Sequence, residues 1–98
     1  MDGPSNDYGI PHNPAQFQDV LNQSWPAPDV AERVKDHARI DVRVRVVFQR
    51  DGETWLEGQA TRWHGQHVFV RVEDTRLRLP FVWVDAGDVR RLPRLRPR

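Results

Sequence analysis

Two histidines three residues apart, His64 and His67, lie beside Trp63 and come closest in this sequence to a metal-binding motif. On a helix this spacing would direct both rings to one side, but here one histidine lies in a predicted turn and the other begins a predicted strand. A tetrahedral site needs further ligands, and the chain has no cysteine and no acidic residue next to the pair. His12 and His37 have no partners nearby, so we expect no metal site.

The residue types needed for catalysis are present, but not in a recognisable arrangement. Without cysteine, the nucleophile would be a hydroxyl group, and no serine, threonine or tyrosine lies in a known nucleophile motif. Asp85 and Asp88 resemble a carboxylate pair, but aspartates in so short a turn are more simply explained as acceptors of backbone N–H groups. No glycine-rich loop is present to hold a phosphate. We therefore predict a protein that is not an enzyme and needs no cofactor.

Arginine supplies almost all of the positive charge, with fourteen arginines and one lysine in 98 residues. Residues 1–39 carry six acids against three bases, whereas residues 40–98 carry eight acids against twelve bases. The guanidinium group is planar, permanently charged and suited to bidentate contact with phosphate or carboxylate. The basic second part is therefore where we expect an anionic partner to bind.

The outward positions of the predicted strands carry arginines with one aromatic ring among them, and five more arginines follow between Arg90 and Arg98. Guanidinium groups neutralise phosphates, and an exposed ring stacks on a base. The candidate nucleic-acid-binding residues are Arg43, Arg45, Phe69, Arg71, Arg76, Arg78, Arg94, Arg96 and Arg98. The alternative is a solvated strand face, balanced by acids such as Glu57 and Glu73, followed by a solubilising tail.

The four tryptophans indicate a second kind of contact surface. Trp83 continues an apolar strand and is predicted to lie in the core, whereas Trp55 has outward parity and Trp63 lies in a predicted loop. Large exposed rings on a small domain are typical of protein-binding surfaces. Trp25, Trp55 and Trp63 are therefore candidate protein-binding residues. The competing interpretation, which we favour because so small a barrel gains from added apolar burial, is that the first helix, with Phe17, Leu21 and Trp25, folds back to cover the other two.

The first part of the chain is rich in proline and lacks strand periodicity. Residues 1–12 are predicted to form a disordered leader. Residues 13–39 are predicted to form one or two short helices and a linker, the first helix starting at Pro14. Its apolar stripe consists of Phe17, Val20, Leu21 and Trp25. A second helix is predicted from the capping box Asp29-x-x-Glu32 to the end of this segment.

From Ile40 the apolar residues recur with period two, which predicts a sheet. The predicted strands cover residues 40–49, 53–62, 68–72, 77–84 and 89–92, and an Arg/Pro-rich tail follows at 93–98. A chain of this length forms a single domain, and so short a sheet must curl on itself to bury its apolar face.

Loop lengths follow from keeping the apolar side chains on one face. We predict three-residue loops at 50–52 and 63–65, with positive φ at Gly52 and Gly65, and a two-residue turn at 74–75. The predicted cross-strand pairs are Val46 with Leu56, Ala60 with Val68, and Val72 with Leu77.

The run from Trp55 to Ala60, the turn Trp63-His64-Gly65, the strand from Val68 to Val72 and the turn and strand from Asp85 to Leu92 resemble SH3-like small barrels. The integrase C-terminal and Tudor-type modules have a similar strand rhythm, and the resemblance covers residues 40–92. It implies an all-β, five-stranded barrel that binds rather than catalyses. The sequence places no cluster of three or four aromatic residues on adjacent loops, as a cage for a methylated cation requires.

These observations predict a small, non-catalytic binding module. One hypothesis is a sequence-tolerant nucleic-acid-binding accessory protein, and the alternative is a protein–protein interaction module that uses exposed tryptophans or the N-terminal segment. The chain has no apolar run long enough to span a membrane, and its first residues lack the basic region of a secretory signal. We therefore expect a cytoplasmic protein with no membrane partner.

Overall fold

The computed structural model describes residues 16–93, which form one short helix and five strands. The helix is α1 (Pro28–Arg33), and the strands are β1 (Ile40–Phe48), β2 (Gly52–His64), β3 (His67–Arg71), β4 (Phe81–Asp85) and β5 (Val89–Arg91). A 3₁₀ turn, Ala86–Asp88, joins β4 to β5. The predicted leader, the start of the first predicted helix and tail residues 94–98 lie outside the described residues.

The five strands form one antiparallel sheet in the order β4-β3-β2-β1-β5. Three successive hairpins place β1 to β4 side by side, and β5 then returns to pair with the first half of β1. The prediction of a mainly β, five-stranded fold with a short helix is confirmed. Within residues 16–93, β4 and β5 are the edge strands and do not pair with each other, so strand pairing does not close the sheet.

One face of the sheet carries the main apolar core. In β1 every second side chain is buried, as the period-two pattern predicts. The buried residues facing each other across this core include Val42, Val44, Val46, Phe48, Val70, Val82 and Val84. Each such side chain contributes about 1.5–3 kcal/mol relative to an exposed position. Leu56, Leu77 and Val89 pack partly buried against the core.

The β1–β2 hairpin keeps the predicted faces but not the predicted register. Its observed pairs are Phe48 with Gly52, Val46 with Thr54, and Val44 with Leu56. The predicted pairing of Val46 with Leu56 is wrong by two residues, because the three-residue loop covers 49–51. Gln18 Oε1 accepts hydrogen bonds from the N–H groups of Arg50 and Asp51, at 2.9 and 3.0 Å, and so holds the loop in this position. Gly52 has the predicted positive φ, 77°.

In the β2–β3 hairpin the apolar side chains lie on the predicted face, but the turn and the register differ from the prediction. Its turn has two residues, Gly65 and Gln66, and the predicted three-residue loop is wrong. Gly65 has φ 60° as predicted, which suits the first central position of a type II′ turn. A β-bulge at Thr61 adds one residue to β2, so that Ala60 pairs with Val70 instead of Val68. The bulge restores the sidedness that the shorter turn would reverse.

The predicted fourth strand is present, but its predicted start at Leu77 is wrong, because β4 begins at Phe81. Residues 72–80 form a connection that contains a turn in which the Leu77 N–H donates to the Asp74 carbonyl at 3.0 Å. Pro80 has no N–H to donate to a ladder, and β4 begins directly after it. Val72 and Leu77 are therefore not a cross-strand pair.

The β3–β4 register differs from the prediction by three residues, since Val70 pairs with Val82 and not with Leu79, and this odd difference reverses the predicted faces of β4. Val82 and Val84 point into the main core, whereas Phe81 and Trp83 lie on the opposite face. Trp83 is buried as predicted, but it lies outside the main cluster, against other aromatic rings.

The predicted helix through Trp25 is wrong in its described part, because residues 18–25 form an extended segment with one tight turn, here called the strap. The strap crosses from β1 to β4. The Leu21 N–H donates to the Val47 carbonyl at 2.8 Å, and the Ser24 N–H donates to the Trp83 carbonyl at 2.7 Å. Hydrogen bonding to backbone groups that β1 and β4 leave unpaired thus stabilises the extended form of this segment more than its apolar spacing favours a helix.

Asn22 anchors the strap to β1 through its side chain. Its Nδ2 donates to the Arg45 carbonyl at 2.8 Å, and its Oδ1 accepts from the Val47 N–H at 2.9 Å. Nδ2 also donates to Asp88 Oδ2 at 3.1 Å. At the end of β1 the amide therefore makes the hydrogen bonds that a neighbouring strand would make. It also links β1 to the 3₁₀ turn.

Helix α1 is shorter than predicted and begins differently. Pro28 occupies its first turn, and no side chain caps it, so the predicted capping box is not formed. The helix ends at Arg33, and the following linker, residues 34–39, is held by the bulge instead. There Asp36 Oδ1 accepts from Thr61 Oγ1 at 3.0 Å, and the His37 N–H donates to the Thr61 carbonyl at 2.9 Å. The described residues contain no helix with the length and apolarity needed to cross a bilayer.

Candidate functional site

The arginines predicted to bind nucleic acid differ in their availability. Arg43 and Arg71 lie exposed on β1 and β3, and neither forms an ion pair with another described residue. Arg45 lies on the same face of β1 as Arg43, but its guanidinium is 3.0 Å from Glu53 and 3.1 Å from Asp88. These hydrogen bonds raise the pKa of Arg45, Glu53 being the main cause. Arg45 is thus occupied within the domain.

Arg76 lies in the 72–80 connection, so its predicted place on a strand is wrong. Its guanidinium lies 2.8 Å from Asp74 and 3.0 Å from Asp51, and 4.1 Å above the Phe48 ring. The hydrogen bond to Arg76 is the main cause that lowers the pKa of Asp74, and it also lowers that of Asp51. Arg76 fastens two loops together and is not free to neutralise a phosphate.

Two further candidates are also placed differently from the prediction. Arg78 is exposed in the same connection, and its guanidinium lies 4.9 Å from the Phe17 ring. Phe69 is 6% exposed, so the prediction of an exposed ring for base stacking is wrong. The guanidinium of Arg62 covers Phe69 at 4.3 Å. Arg94, Arg96 and Arg98 lie outside the described residues.

Three tryptophans retain large exposed surfaces, 49% for Trp25, 40% for Trp55 and 37% for Trp63. Trp55 is on the outer face of β2, as predicted, with the Arg90 guanidinium 5.7 Å from its ring. Trp63 lies within β2 and not in a loop, and its ring centroid is 4.2 Å from that of His37. Within residues 16–93 no helix carries Trp25, and its ring contacts are with Phe81 and Trp83, so the interpretation that a helix carrying Trp25 covers Trp55 and Trp63 is wrong.

Trp25 belongs to an aromatic cluster that the sequence does not reveal. Its ring centroid lies 6.1 Å from those of Phe81 and Trp83, and Phe69 stacks on Phe81 at 4.6 Å. The four rings come from the strap, β3 and β4. Predicting the cluster from the sequence would have required knowing which side chains of β4 lie on its outer face. Their centroids are too close together to leave a cage for a cation, and they form a small second core on the outer side of the sheet.

In the two polar pairs of the sequence, His64 with His67 and Asp85 with Asp88, the structure shows partners for His67 and for both aspartates. His67 Nδ1 lies 3.1 Å from Ser24 Oγ and 3.2 Å from the Ser24 carbonyl oxygen. Asp85 Oδ2 accepts from the Gly87 N–H at 2.7 Å, as predicted for a turn aspartate. Asp88 instead accepts from the side chains of Asn22 and Arg45, so its predicted backbone role is wrong. No three His, Asp or Glu side chains within residues 16–93 are grouped as metal ligands.

An open cleft of about 420 Å³ lies at the end of the sheet where β1 begins and β5 ends. Its apolar lining includes Ile40, Val42, Ala60, Trp63, Val68 and Val89. Arg91 lies at its rim, and an adjoining cleft of about 350 Å³ shares Ile40 and Arg91 and adds Arg39. Sequence reasoning missed this combination, because Ile40 and Trp63 lie far apart in sequence and only the sheet register brings them together.

Comparison with known proteins gives no relative: no protein-family model matches, and no curated protein or solved structure does so either. A functional assignment therefore depends on the side chains and surfaces of this chain alone.

Proposed function

We propose that the protein is a non-catalytic interaction module that binds other proteins through exposed tryptophans on a small, SH3-like β-barrel. The observation that carries this proposal is the exposure of Trp25, Trp55 and Trp63, at 37–49% each. Tryptophan buries a large area at low cost in side-chain entropy, and protein interfaces are enriched in it. In the proposed barrel, the strap completes the gap that strand pairing leaves between β4 and β1.

The contacts made by the candidate nucleic-acid-binding residues favour a protein partner over a nucleic acid. Arg45 and Arg76 are each paired with two carboxylates, and Phe69 is buried. Binding a phosphate at either arginine would break ion pairs inside the domain. On the outer face of β1 and β2, Arg43 lies opposite Glu57, which weakens the attraction for a polyanion.

The protein-binding proposal is tested by panning a random peptide display library against the immobilised protein. Synthetic copies of the selected peptides are then titrated against wild type and against Trp25→Ala, Trp55→Ala and Trp63→Ala. We expect at least one substitution to weaken binding by about tenfold or more, since tryptophans are common interface hot spots. Leu79→Ala, which truncates another exposed apolar residue, is the control.

A nucleic-acid-binding accessory protein is the second candidate, supported by the exposed Arg43 and Arg71, which form no ion pairs with described residues. Binding would depend on phosphate contacts, so it would be sequence-tolerant and weaken steeply with salt. An electrophoretic shift with mixed DNA and RNA at low salt tests it. A shift that Arg43→Ala with Arg71→Ala abolishes, together with a library that yields no peptide, would favour this candidate over the first.

A further inference from the structure

The two edges of the sheet are treated differently. At β4, the strap covers the outer edge, since Trp83 both accepts from Ser24 N–H and donates to Gln23 Oε1. At β5, the outer edge has no neighbouring strand among residues 16–93. An uncovered edge offers backbone donors and acceptors to an extended peptide. The β5 edge is therefore the place in the described sheet where a further strand can be added.

The hydrogen-bond pattern indicates which backbone groups this edge presents. The Leu92 N–H donates to the Asp41 carbonyl at 3.0 Å, so Leu92 and Asp41 form a hydrogen-bonded pair of the antiparallel ladder. Because such pairs alternate along the ladder, the N–H and C=O of Arg91 point away from β1. The Val89 N–H already donates to the Ala86 carbonyl, and the Val89 carbonyl accepts from Arg90 Nη1 at 3.1 Å. Arg91 is therefore the residue of β5 whose outward backbone groups are open to a further strand.

The same edge borders the apolar cleft. Arg91 pairs with Val42 and Val89 pairs with Val44, so both side chains lie on the core side of the sheet. In an added strand, every second side chain would point to this side. A large apolar side chain would then reach the part of the cleft formed by Ile40, Trp63 and Val89.

Charge defines the kind of strand that fits. Arg39 and Arg91 are exposed beside the clefts, and neither forms an ion pair with a described residue. The one carboxylate lining the adjoining cleft, Asp41, accepts a hydrogen bond from Gln59 at 3.2 Å. A second copy of this edge would bring Arg90 and Arg91 against arginines, and like charges on adjacent strands repel. The edge thus disfavours self-pairing and favours an acidic strand.

We propose that the β5 edge binds an extended acidic peptide as a sixth strand, with one large apolar side chain in the cleft beside Trp63. This proposal rests on the proposed protein-binding function and gives it a site and a partner chemistry. The backbone of Arg91 supplies the strand pairing, and the guanidinium groups of Arg39 and Arg91 contact the carboxylates of the peptide.

The test uses the full chain and an end-capped, fluorescein-labelled peptide of about six residues, the usual length of a strand. The peptide has the order Val-Glu-Val-Phe-Val-Glu, so that the phenylalanine and both glutamates lie on one face of the added strand, the face toward Arg91 and the cleft. Its binding is followed by fluorescence anisotropy and by NMR amide shifts. We expect shifts at Val89, Arg91, Ile40 and the Trp63 indole. Arg91→Glu should weaken binding by about tenfold or more, since it places a like charge against the peptide.

Matched controls separate strand addition from general attraction between opposite charges. Arg71→Glu reverses the charge of another exposed strand arginine. Because this change affects only the long-range electrostatic attraction of the peptide, the affinity should stay within about twofold of that of the wild type. A peptide with proline at its centre keeps the charge but loses the central N–H, so we expect it to bind much more weakly. A peptide with lysine in place of glutamate should prefer Arg91→Glu to wild type. Thermal unfolding of each variant confirms that it is folded.

Three results would overturn the proposal: shifts elsewhere on the sheet, equal loss in Arg71→Glu and Arg91→Glu, or no binding of the acidic peptide. If library-selected peptides still bind at Trp25 or Trp55, the protein-binding function stands and only the β5 site is wrong. If neither the selected peptides nor the acidic peptide binds, both proposals are wrong.

Discussion

At the scale of single residues, Asn22 has the largest structural role relative to its size. Its amide donates to one backbone group of β1 and accepts from another, and it also donates to Asp88. Each of these bonds requires the nitrogen and the oxygen in their present places, so a carboxylate of the same shape cannot replace the amide.

We predict that Asn22→Asp lowers the free energy of unfolding by about 2 kcal/mol or more, because it sets a carboxylate against the Arg45 carbonyl and the Asp88 carboxylate. Urea denaturation followed by tryptophan fluorescence measures the change. Gln66→Glu, the same amide-to-acid change in the exposed β2–β3 turn, is the control. Equal losses in the two variants would show that Asn22 is not an anchor.

Asp74 contributes a pH-dependent part of the stability. The hydrogen bond from Arg76 lowers its pKa below the ordinary value of 3.8, so folding favours the charged carboxylate. The stabilisation is therefore complete above the unfolded-state pKa, and it is lost as the pH falls through the lower pKa of the folded state. We predict that wild type is more stable than Asp74→Asn at about pH 6 and that the difference shrinks between about pH 5 and pH 2.

Denaturant unfolding at several pH values measures this difference. Glu73→Gln removes the adjacent exposed carboxylate, which forms no ion pair with a described residue, and is expected to change the stability little at any of these pH values. A constant difference between wild type and Asp74→Asn across the pH range would contradict the assigned role of Arg76.

At the scale of elements, Gly58 is a position where β2 lies close to the backbone of β3. A Cβ at this position would overlap the Arg71 carbonyl oxygen and lie 3.1 Å from Val70 Cγ1. We predict that Gly58→Ala destabilises the protein by about 2 kcal/mol or more through overpacking. Gly65→Ala, where a Cβ meets open space but φ is 60°, should cost about 1 kcal/mol. Thermal unfolding compares the two, and the reverse order would contradict the close approach.

The sequence predicts the sides of the strands better than their alignment. The alternation from Val42 to Phe48 predicts correctly which side chains are buried, because only the side chains on the core face need to be apolar. The register depends on contacts from outside the hairpin: Gln18 fixes the first loop, and the bulge at Thr61 corrects the second. Neither contact leaves a periodic signal, so both registers are predicted two residues from their observed positions.

The strap was predicted wrongly for a related reason. Phe17, Val20, Leu21 and Trp25 have helical spacing, but hydrogen bonds to β1 and β4 hold this segment in an extended form. Local periodicity contains no information about distant edges that need partners. The candidate site shows the same limit, since Trp63 could be identified as a binding residue but its cleft with Ile40 and Arg91 could not.

A pair of adjacent residues distinguishes the strap from a helix. Val20 packs against the main core, whereas Leu21 is 63% exposed. We predict that Val20→Ala lowers the free energy of unfolding by about 1 kcal/mol through lost burial, and that Leu21→Ala changes it by less than about 0.5 kcal/mol. Equilibrium denaturation measures both. In a helix with the predicted stripe the two losses would be similar, and that result would contradict the strap.

At the scale of the whole molecule, the fold joins its first described residues to its last. The strap hydrogen-bonds to both β1 and β4, while the linker that follows α1 is fixed to the bulge in β2. Ser24 also lies within hydrogen-bond distance of His67 in β3, so the N-terminal segment contacts four of the five strands without being a member of the sheet. Its burial adds to a core that is small for an independent domain.

The strap also sets an order of events when the chain is made. Asn22 and its partner Asp88 are 66 positions apart, and Gln23 and Trp83 are 60 apart. The strap therefore leaves the ribosome well before β4 and the 3₁₀ turn exist, and must wait for them with Trp25 and the side chain of Asn22 uncovered. Such long-range contacts form late, since the chain entropy of closing the loop must be offset first. The strap, although synthesised before β4 and the 3₁₀ turn, thus completes its native contacts only after they have formed.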